Sequence, residues 1–595
     1  VTNSVSRGGG GAWRRWMRGV AYLVMVLWSG VAGAVEVRFT VAGEGLPAEV
    51  RDDLQKNMAP VQIGDVTQEL GSARLAADER LRNALQVYGY YGSQLELRTE
   101  AVSESEYVLH YTVIPGTRIH VSDVALAVRG PGAELPVWDR LRQEFPLRQG
   151  DVLRQDTYER AKAQWLSAAQ DAGYIDTEFS RHVLAIDREQ GTARIELTLD
   201  TGTRYVFGEA TFDGAADYPR RFLYRYLAFK PGQVFSYQKL SDTQLNLLNA
   251  DRFANVSVTP DREAAQGEVM PVRIALESLK PKRFRSGVGY GTDTGARLTA
   301  RYDDLNFRHS ANELHLASDV SERRLGLAGR FVWPSYRDYR SFTSLQSTFQ
   351  REELDTYTTR LFGVTLERAR GFSSTLIGSA FLTYQNEIFS LGLQRGHSIL
   401  IMPGVRVQQT RLDQLLRPRK GYRYDVTLRT SYTGWGSNTD FVQLAGRGEA
   451  RLPLGSRDRI VLRSELGATW QHQGTILDLP PSLRFFAGGD RSVRGYDYRS
   501  QGPRDAGGFV VGGRHLLTGS VEFQHDIGGM FGAVVFYDAG NAFDTFADMN
   551  VLLQSAGVGA RAYTPIGPLR LDLAHPLGDP SARNFRIHFS AGVSF

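Results

Sequence analysis

The sequence predicts an α+β repeat region followed by a transmembrane β-barrel, and three observations carry that expectation. Helix-then-strand segments recur through residues 35–280, strict two-residue alternation replaces them after Pro281, and the N-terminal segment is of an export type.

Arg14, Arg15 and Arg18 precede a short apolar run at residues 20–28, which Ala32, Gly33 and Ala34 follow. A basic region, an apolar run and small residues make up a secretory signal peptide, so residues 1–34 are expected to be removed and the exported chain to begin near Val35. The apolar run is well short of the roughly 20 residues that a membrane-spanning helix needs. The chain has no cysteine, so an exported protein of this length must be held by packing and hydrogen bonds alone. A formal charge of +5 over 595 residues, with no basic helix, zinc-finger spacing or phosphate loop, gives no argument for nucleic acid.

Residues 76–92, AADERLRNALQVYGYYG, read as a helix running into a Gly-Tyr turn, with strand segments QLELRT and YVLHYTV behind it. The same order returns at residues 157–176 and again at 237–256. Gly89-Tyr90 corresponds to Gly173-Tyr174 and then to Arg252-Phe253, while Gly116-Thr117-Arg118 corresponds to Gly202-Thr203-Arg204. Each copy opens on a similar segment: PLRQGDVL (146–153), KPGQVF (230–235) and, more weakly, QIGDV (62–66). Recurrence of so long a unit points to three tandem domains, at residues 35–115, 116–201 and 202–280.

Beyond Pro281 the grammar changes. Tyr422, Tyr424, Val426 and Leu428 alternate with Arg423, Asp425, Thr427 and Arg429, and Phe585, Ile587, Phe589, Ala591, Val593 and Phe595 share a face opposite Arg586, His588 and Ser590. At roughly 10 residues per strand plus connections, residues 281–595 make about 16 strands. Open sheets of that size split or curl, whereas closure removes their edges. Charge recurring on one face suits a wet lumen and apolar residues on the other suit lipid, so a barrel in an outer membrane is expected.

One stretch breaks the alternation: FFAGGDRSVRGYDYRS, residues 485–500. With the export segment, three βααββ-like repeats, a barrel of about 16 strands and Val493-Arg494-Gly495-Tyr496, the chain resembles the BamA/TamA superfamily of outer-membrane assembly proteins. Its repeats look like polypeptide-transport-associated (POTRA) domains. Three of them match the TamA branch best, since BamA-type members usually carry five and two-partner secretion transporters two.

The resemblance implies an inward-folded sixth extracellular loop whose arginine, here Arg494, pairs with acidic residues of the inner wall, here Glu522 and Asp538. A guanidinium suits that task because its rigid fork engages two carboxylates at once. Gly495 is expected to let the tip turn tightly and Tyr496 to pack with its hydroxyl bonded. Strand parity places Glu522 inward, while Asp538 shares its face with Phe536 and Val534. The resemblance also implies a seam between the first and last strands, residues 283–290 and 584–595. Gly287, Val288, Gly289 and Tyr290 would meet Ile587, Phe589, Gly592 and Phe595 there, and the glycines would weaken it or make room for the lid.

The implied activity is assembly of outer-membrane proteins or autotransporters, with unfolded clients, outer-membrane lipids and a TamB-like protein anchored in the inner membrane as partners. A two-partner secretion pore and a phospholipid-transport role with the same partner are the other readings, and a passive porin would not need residues 35–280. No enzyme, metal or cofactor is expected. There is no Gly-x-Ser-x-Gly elbow, His515, His525, His575 and His588 lack metal-ligand spacing, and Asp303 and Asp304 sit on opposite strand faces.

Overall fold

The computed structural model describes residues 35–64, 66–103, 106–414, 417–564, 567–578 and 585–591. The expected signal peptide, residues 1–34, lies outside the described residues. Three small α/β sheets precede a closed barrel. Among the described residues no helix is long and apolar enough to cross a membrane.

The first repeat runs β1 (Val35–Ala42), α1 (Ala48–Lys56), β2 (Val61–Ile63), α2 (Val66–Val87), β3 (Gln94–Ser103) and β4 (Glu106–Ile114), in sheet order β2-β1-β4-β3. The second has β5 (His120–Arg129), α3 (Val137–Gln143), α4 (Gln155–Asp171), β6 (Glu178–Asp187) and β7 (Thr192–Asp200), in order β5-β7-β6. The third has β8 (Val206–Asp213), α5 (Arg220–Tyr224), α6 (Tyr237–Leu248), β9 (Phe253–Pro260) and β10 (Val269–Ser278), in order β8-β10-β9.

Patterning explains these elements. In α4 the buried residues Tyr158, Ala161, Trp165 and Ala169 fall on one helical face, and in β7 Ala193, Ile195, Leu197 and Leu199 are buried in alternation. Trp165 packs against Trp138 with ring centroids 5.7 Å apart. Truncating such a buried indole to alanine costs about 3–5 kcal/mol.

The recurring Gly-x-Val segments all do the same work. Ile63 of β2 pairs with Val35, Val152 bridges antiparallel to His120, and Val234 bridges to Val206, so each segment lines the outer edge of its repeat's first strand. They lie inside the repeats, between the first helix and the second, because a short extra edge pairing there caps the sheet.

The chain forms two compact units. One ends at Glu209 and takes in Phe229–Leu240 and Pro260–Val272; the other comprises Ala210–Ala228, Ser241–Thr259 and Arg273–Phe595. The third repeat therefore contributes to both.

Within the first unit the Gly-Tyr turns are joints. Gly89 and Gly173 close their helices with φ of +87° and +97°. Each carbonyl accepts from the chain entering the next repeat, Gly89 from Ile119 N at 3.0 Å and Gly173 from Tyr205 N at 2.8 Å. A Cβ at either would lie 2.7 Å from the next repeat, against Leu153 O or Val234 Cγ1. Asp176 strengthens the second joint by accepting from Tyr205 Oη at 2.8 Å and from Arg262. Partial burial opposes its charge, yet those two hydrogen bonds hold its carboxyl below the ordinary aspartate range.

Within the second unit the third turn has arginine where the others have glycine. The carbonyl of Arg252 accepts from Leu279 N at 2.8 Å, while its guanidinium, buried at the joint, donates to Leu305 O and to Glu313 Oε1 at 2.5 Å. Arg225 donates to the carbonyls of Asp338, Tyr339 and Ser341, and Asn306 Nδ2 to Asp217 O at 3.1 Å. No repeat follows this turn, so the barrel's connections take the place a fourth repeat would occupy. Arg252→Ala is expected to loosen this joint by about 1–3 kcal/mol, the cost of stranding buried acceptors. Faster hydrogen exchange at residues 253–260 and 305–313 would report it, and unchanged exchange there would refute it.

Sixteen antiparallel strands, from β11 (Lys282–Gly291) to β26 (Arg586–Ala591), close the barrel. In β22 (His515–Gly528), Val521, Phe523 and Ile527 are exposed outward while Ser520, Glu522, Gln524 and Asp526 are buried inward. That polarity is the reverse of a soluble protein's and suits lipid outside with polar groups inside. β11 pairs along its whole length with β12 (Gly295–Phe307), and its Tyr290 and Gly291 face Ala591 and Ser590 of β26; residues 592–595, which would continue that register, lie outside the described residues.

Candidate functional site

The connection between β21 (Asp458–Trp470) and β22 spans residues 471–514, and it folds into the barrel. It is the sixth connection at the end opposite the one where β11 enters. Leu479 and Leu483 pack on Leu400, Met402 and Phe441 of the wall, and Phe486, Val510 and Val511 on Tyr357, Phe389 and Leu391. Polar contacts reinforce both patches. Ser482 N donates to Glu387 Oε1 at 3.3 Å, and Arg499 donates to Tyr357 Oη and to Glu352.

Arg494 carries the opposite side of this lid. Its side chain is 1% exposed, and both faces of the fork are used. Nε and Nη2 each donate to Asp538 at 2.7 Å, Nη1 donates to Glu522 Oε1 at 2.8 Å and to Asp572 Oδ2 at 3.2 Å, and Nη2 also donates to Ser520 Oγ at 3.1 Å. The guanidinium carbon lies 3.4 Å from the centroid of the Phe536 ring. Phe536 thus shares the inner face with Asp538 because it serves as a stacking floor for the cation.

Charge is balanced around this point. Arg463 Nη2 donates to Glu522 Oε1 at 2.5 Å, and Arg561 donates to both oxygens of Asp572. Three guanidiniums therefore face the three carboxylates Glu522, Asp538 and Asp572, in a site from which water is largely excluded. Pairing and hydrogen bonding are what make such burial tolerable.

Gly495 lies in a tight turn, which Tyr496 N closes by donating to Val493 O at 3.2 Å, but its φ is outside the left-handed region, so the turn itself does not require glycine. It is needed for space: a Cβ there would lie 2.8 Å from Ser555 Cβ and 3.0 Å from Pro576 Cα. Val493 and Tyr496 are buried beside it, and Gly489 N donates to Tyr496 O at 3.0 Å. Any side chain at 495 would push Arg494 away from the wall.

The lid tip also bridges the two sides of the seam. His588 Nε2, on β26, donates to the carbonyl of Arg494, and Asp490 N donates to Asp293 Oδ2 at 2.8 Å in the turn that follows β11. His588 Nδ1 lies 3.7 Å from Asp293 Oδ1. Arg586 of the last strand reaches Asp497 of the lid.

Among the sequence-derived seam residues, Tyr290 is paired with the last strand and its ring lies 6.2 Å from that of Phe589. Gly287 and Val288 have no partner on β26 among the described residues, and Val288 points outward, 80% exposed. A Cβ at Gly289 would lie 2.8 Å from Ala591 O, so this glycine lets the strands cross closely. Ile587 and Phe589 pair on their other side with Leu573 and Leu571 of β25 (Gly567–Leu577), Phe589 O also accepts from Thr292 N at 3.0 Å across the seam, and Gly592 and Phe595 lie outside the described residues.

Sequence reasoning missed Asp572, Arg463, Arg561, Phe536, Asp293 and His588 as members of this site. Parity held a signal for one: in LRLDLA, Asp572 alternates with Leu571 and Leu573, marking an inward carboxylate within lipid-facing leucines. Nothing local marks Asp293 or His588, which meet only when the barrel closes.

The model of the Omp85 superfamily domain matches residues 274–595, more than half of the chain. The chain belongs to the Omp85 superfamily. The POTRA model, a surface antigen variable number repeat, matches residues 205–274. The Omp85 chain is 24% identical over 393 residues to the outer membrane protein assembly factor BamA of Nitratidesulfovibrio vulgaris, covering 62% of this chain and 49% of that protein. It is 22% identical over 329 residues to a putative outer membrane protein assembly factor of Treponema pallidum, covering 50% of this chain and 38% of that one. This Omp85 protein thus spans about half the length or less of the curated relatives it matches. A crystal structure of Haemophilus ducreyi BamA lacking POTRA domains 1–3 superposes with a TM-score of 0.68 at 17% identity, covering 80% of this chain and all of that one. POTRA domains followed by a 16-stranded barrel are the shared fold, and the barrel lies in the outer membrane with the POTRA domains in the periplasm.

Proposed function

We propose that this Omp85 protein assembles client proteins in the outer membrane by offering its seam as a template. The observation that carries the proposal is where the barrel closes: Tyr290 and Gly291 of the first strand face Ala591 and Ser590 of the last, and the lid tip is bonded to both sides of that junction. Unpaired backbone groups are expensive in hydrocarbon, so a nascent strand that pairs with this edge lowers the cost of its own insertion. The lid tip, bonded to Asp293 on one side and through His588 on the other, holds the resting seam together.

The number of POTRA repeats supports the finer reading of a TamA-like member that works with a TamB-like protein anchored in the inner membrane, with autotransporters among its clients. Strands β3 and β6 end their sheets and are largely exposed, which leaves backbone edges for strand addition by a partner or client. The test is reconstitution: the full chain in lipid vesicles should speed the folding of an unfolded autotransporter barrel, read as its heat-modifiable band. Folding no faster than in empty vesicles would refute the proposal. Crosslinks from photoreactive residues along β3 and β6 to the TamB-like protein are expected in cells, and their absence would refute that partnership.

A further inference from the structure

The outer wall of the barrel carries a basic groove just above its apolar band, at the extracellular ends of β15 (Phe342–Glu353), β16 (Tyr357–Gly371), β17 (Leu376–Leu391) and β18 (Gln394–Leu412). The groove has a volume of about 540 Å³ and is lined by Arg351, Arg360, Arg395, His397 and the hydroxyls of Thr358 and Ser390. Parity puts these side chains outside. Phe349, Phe362 and Leu382 are exposed on the same faces, and Arg351 pairs with Arg360, Arg360 with Ile388, and Ile388 with His397.

Two features of this groove are unexplained by the barrel itself. Arg351 and Arg360 stand directly opposite on neighbouring strands, an arrangement of like charges that is destabilising unless an anion lies between them. Glu353 neutralises Arg351, accepting from its Nε at 2.8 Å, but among the described residues neither Arg360 nor Arg395 has a side-chain hydrogen bond or ion pair. Arg360 and Arg395 stand two strands and two residues apart, about 12 Å, which is within the combined reach of two arginine side chains.

We propose that this groove binds a phosphate group on the headgroup of an outer-leaflet lipid, the phosphorylated glucosamine of lipid A. Planar guanidinium forks match phosphate oxygens, and the apolar surface formed by Phe349, Phe362 and Leu382 next to them takes the acyl chains. A lipid held there sits on β15–β18, on strands well separated in barrel order from the β11–β26 seam. It would fix the depth and tilt of the barrel while leaving the seam free.

The test uses the purified full chain in phosphatidylcholine nanodiscs doped with bisphosphorylated lipid A, with bound lipid counted by native mass spectrometry. The wild type should retain lipid A, and R351Q/R360Q/R395Q should bind it at least about tenfold more weakly, since each charge-assisted contact is worth about as much as a tenfold change in affinity. R360Q alone should lose part of the binding and serves if the triple variant does not fold, folding being read as heat-modifiable migration. Equal retention by wild type and variants would overturn the proposal. Displacement of lipid A by an equal concentration of inorganic phosphate would mark a site for free anions and would overturn the lipid assignment.

Discussion

Arg494→Ala is expected to release the lid. The substitution leaves Asp538 without its guanidinium partner and deprives Glu522 and Asp572 of one of theirs, in a site that excludes water. Removing one member of a buried ion network costs roughly 3–5 kcal/mol, more than the remaining contacts at the tip can offset. Protease should then cut within residues 471–514 in a variant whose POTRA domains stay resistant, and ionic conductance through reconstituted barrels should rise. Arg494→Lys should restore only part of the effect, because a point charge cannot serve Asp538 with two parallel hydrogen bonds while reaching Glu522. Asp538→Asn added to Arg494→Ala should recover some resistance by removing the stranded charge. A loop as protected in Arg494→Ala as in the wild type would show that the apolar contacts of Leu479, Leu483 and Phe486 hold the lid alone.

The second large effect is expected from locking the seam. Thr292 N donates to Phe589 O at 3.0 Å, and Tyr290 faces Ala591, so the intervening pair Gly291 and Ser590 occupies a non-hydrogen-bonded position. Such pairs have the closer Cα atoms, about 4.5 Å apart, within the range a disulfide accepts. A Cβ at Gly291 would meet nothing closer than Thr294 Oγ1 at 3.2 Å. The chain has no other cysteine, so G291C/S590C forms one defined crosslink. Oxidation should abolish client folding in vesicles and reduction should restore it. Full activity in the oxidised protein would move client assembly away from the seam to the periplasmic domains.

These two sites differ in how far the sequence discloses them. The lid shows itself as a break in alternation, with glycines and charges where strands should continue, and Glu522 is readable as an inward carboxylate between Val521 and Phe523. Asp538 was ambiguous because Phe536 on the same face argued for lipid; the structure shows that an aromatic ring can be inward when it supports a cation. The role of Gly495 could not be read locally, since it depends on Ser555 and Pro576, which reach it only through the closed wall. Arg252 stands at the repeat position of two glycines, and the sequence shows the change without its reason. The reason is the neighbour: in place of a fourth repeat there are carbonyls and Glu313 of the barrel, which a guanidinium can bind.

By itself the sequence determined the two grammars of the chain, because helical and two-residue periodicities are local consequences of backbone geometry. It also determined the tandem repeats and the polarity of the barrel wall, since alternation records which face meets lipid. Only the tertiary structure decided which charges meet, which residues of the first and last strands face each other, and that Asp293 and His588 flank the seam beneath the lid. Those facts depend on strand register and closure, which bring residues some 300 positions apart into contact through long-range pairing that no local pattern encodes.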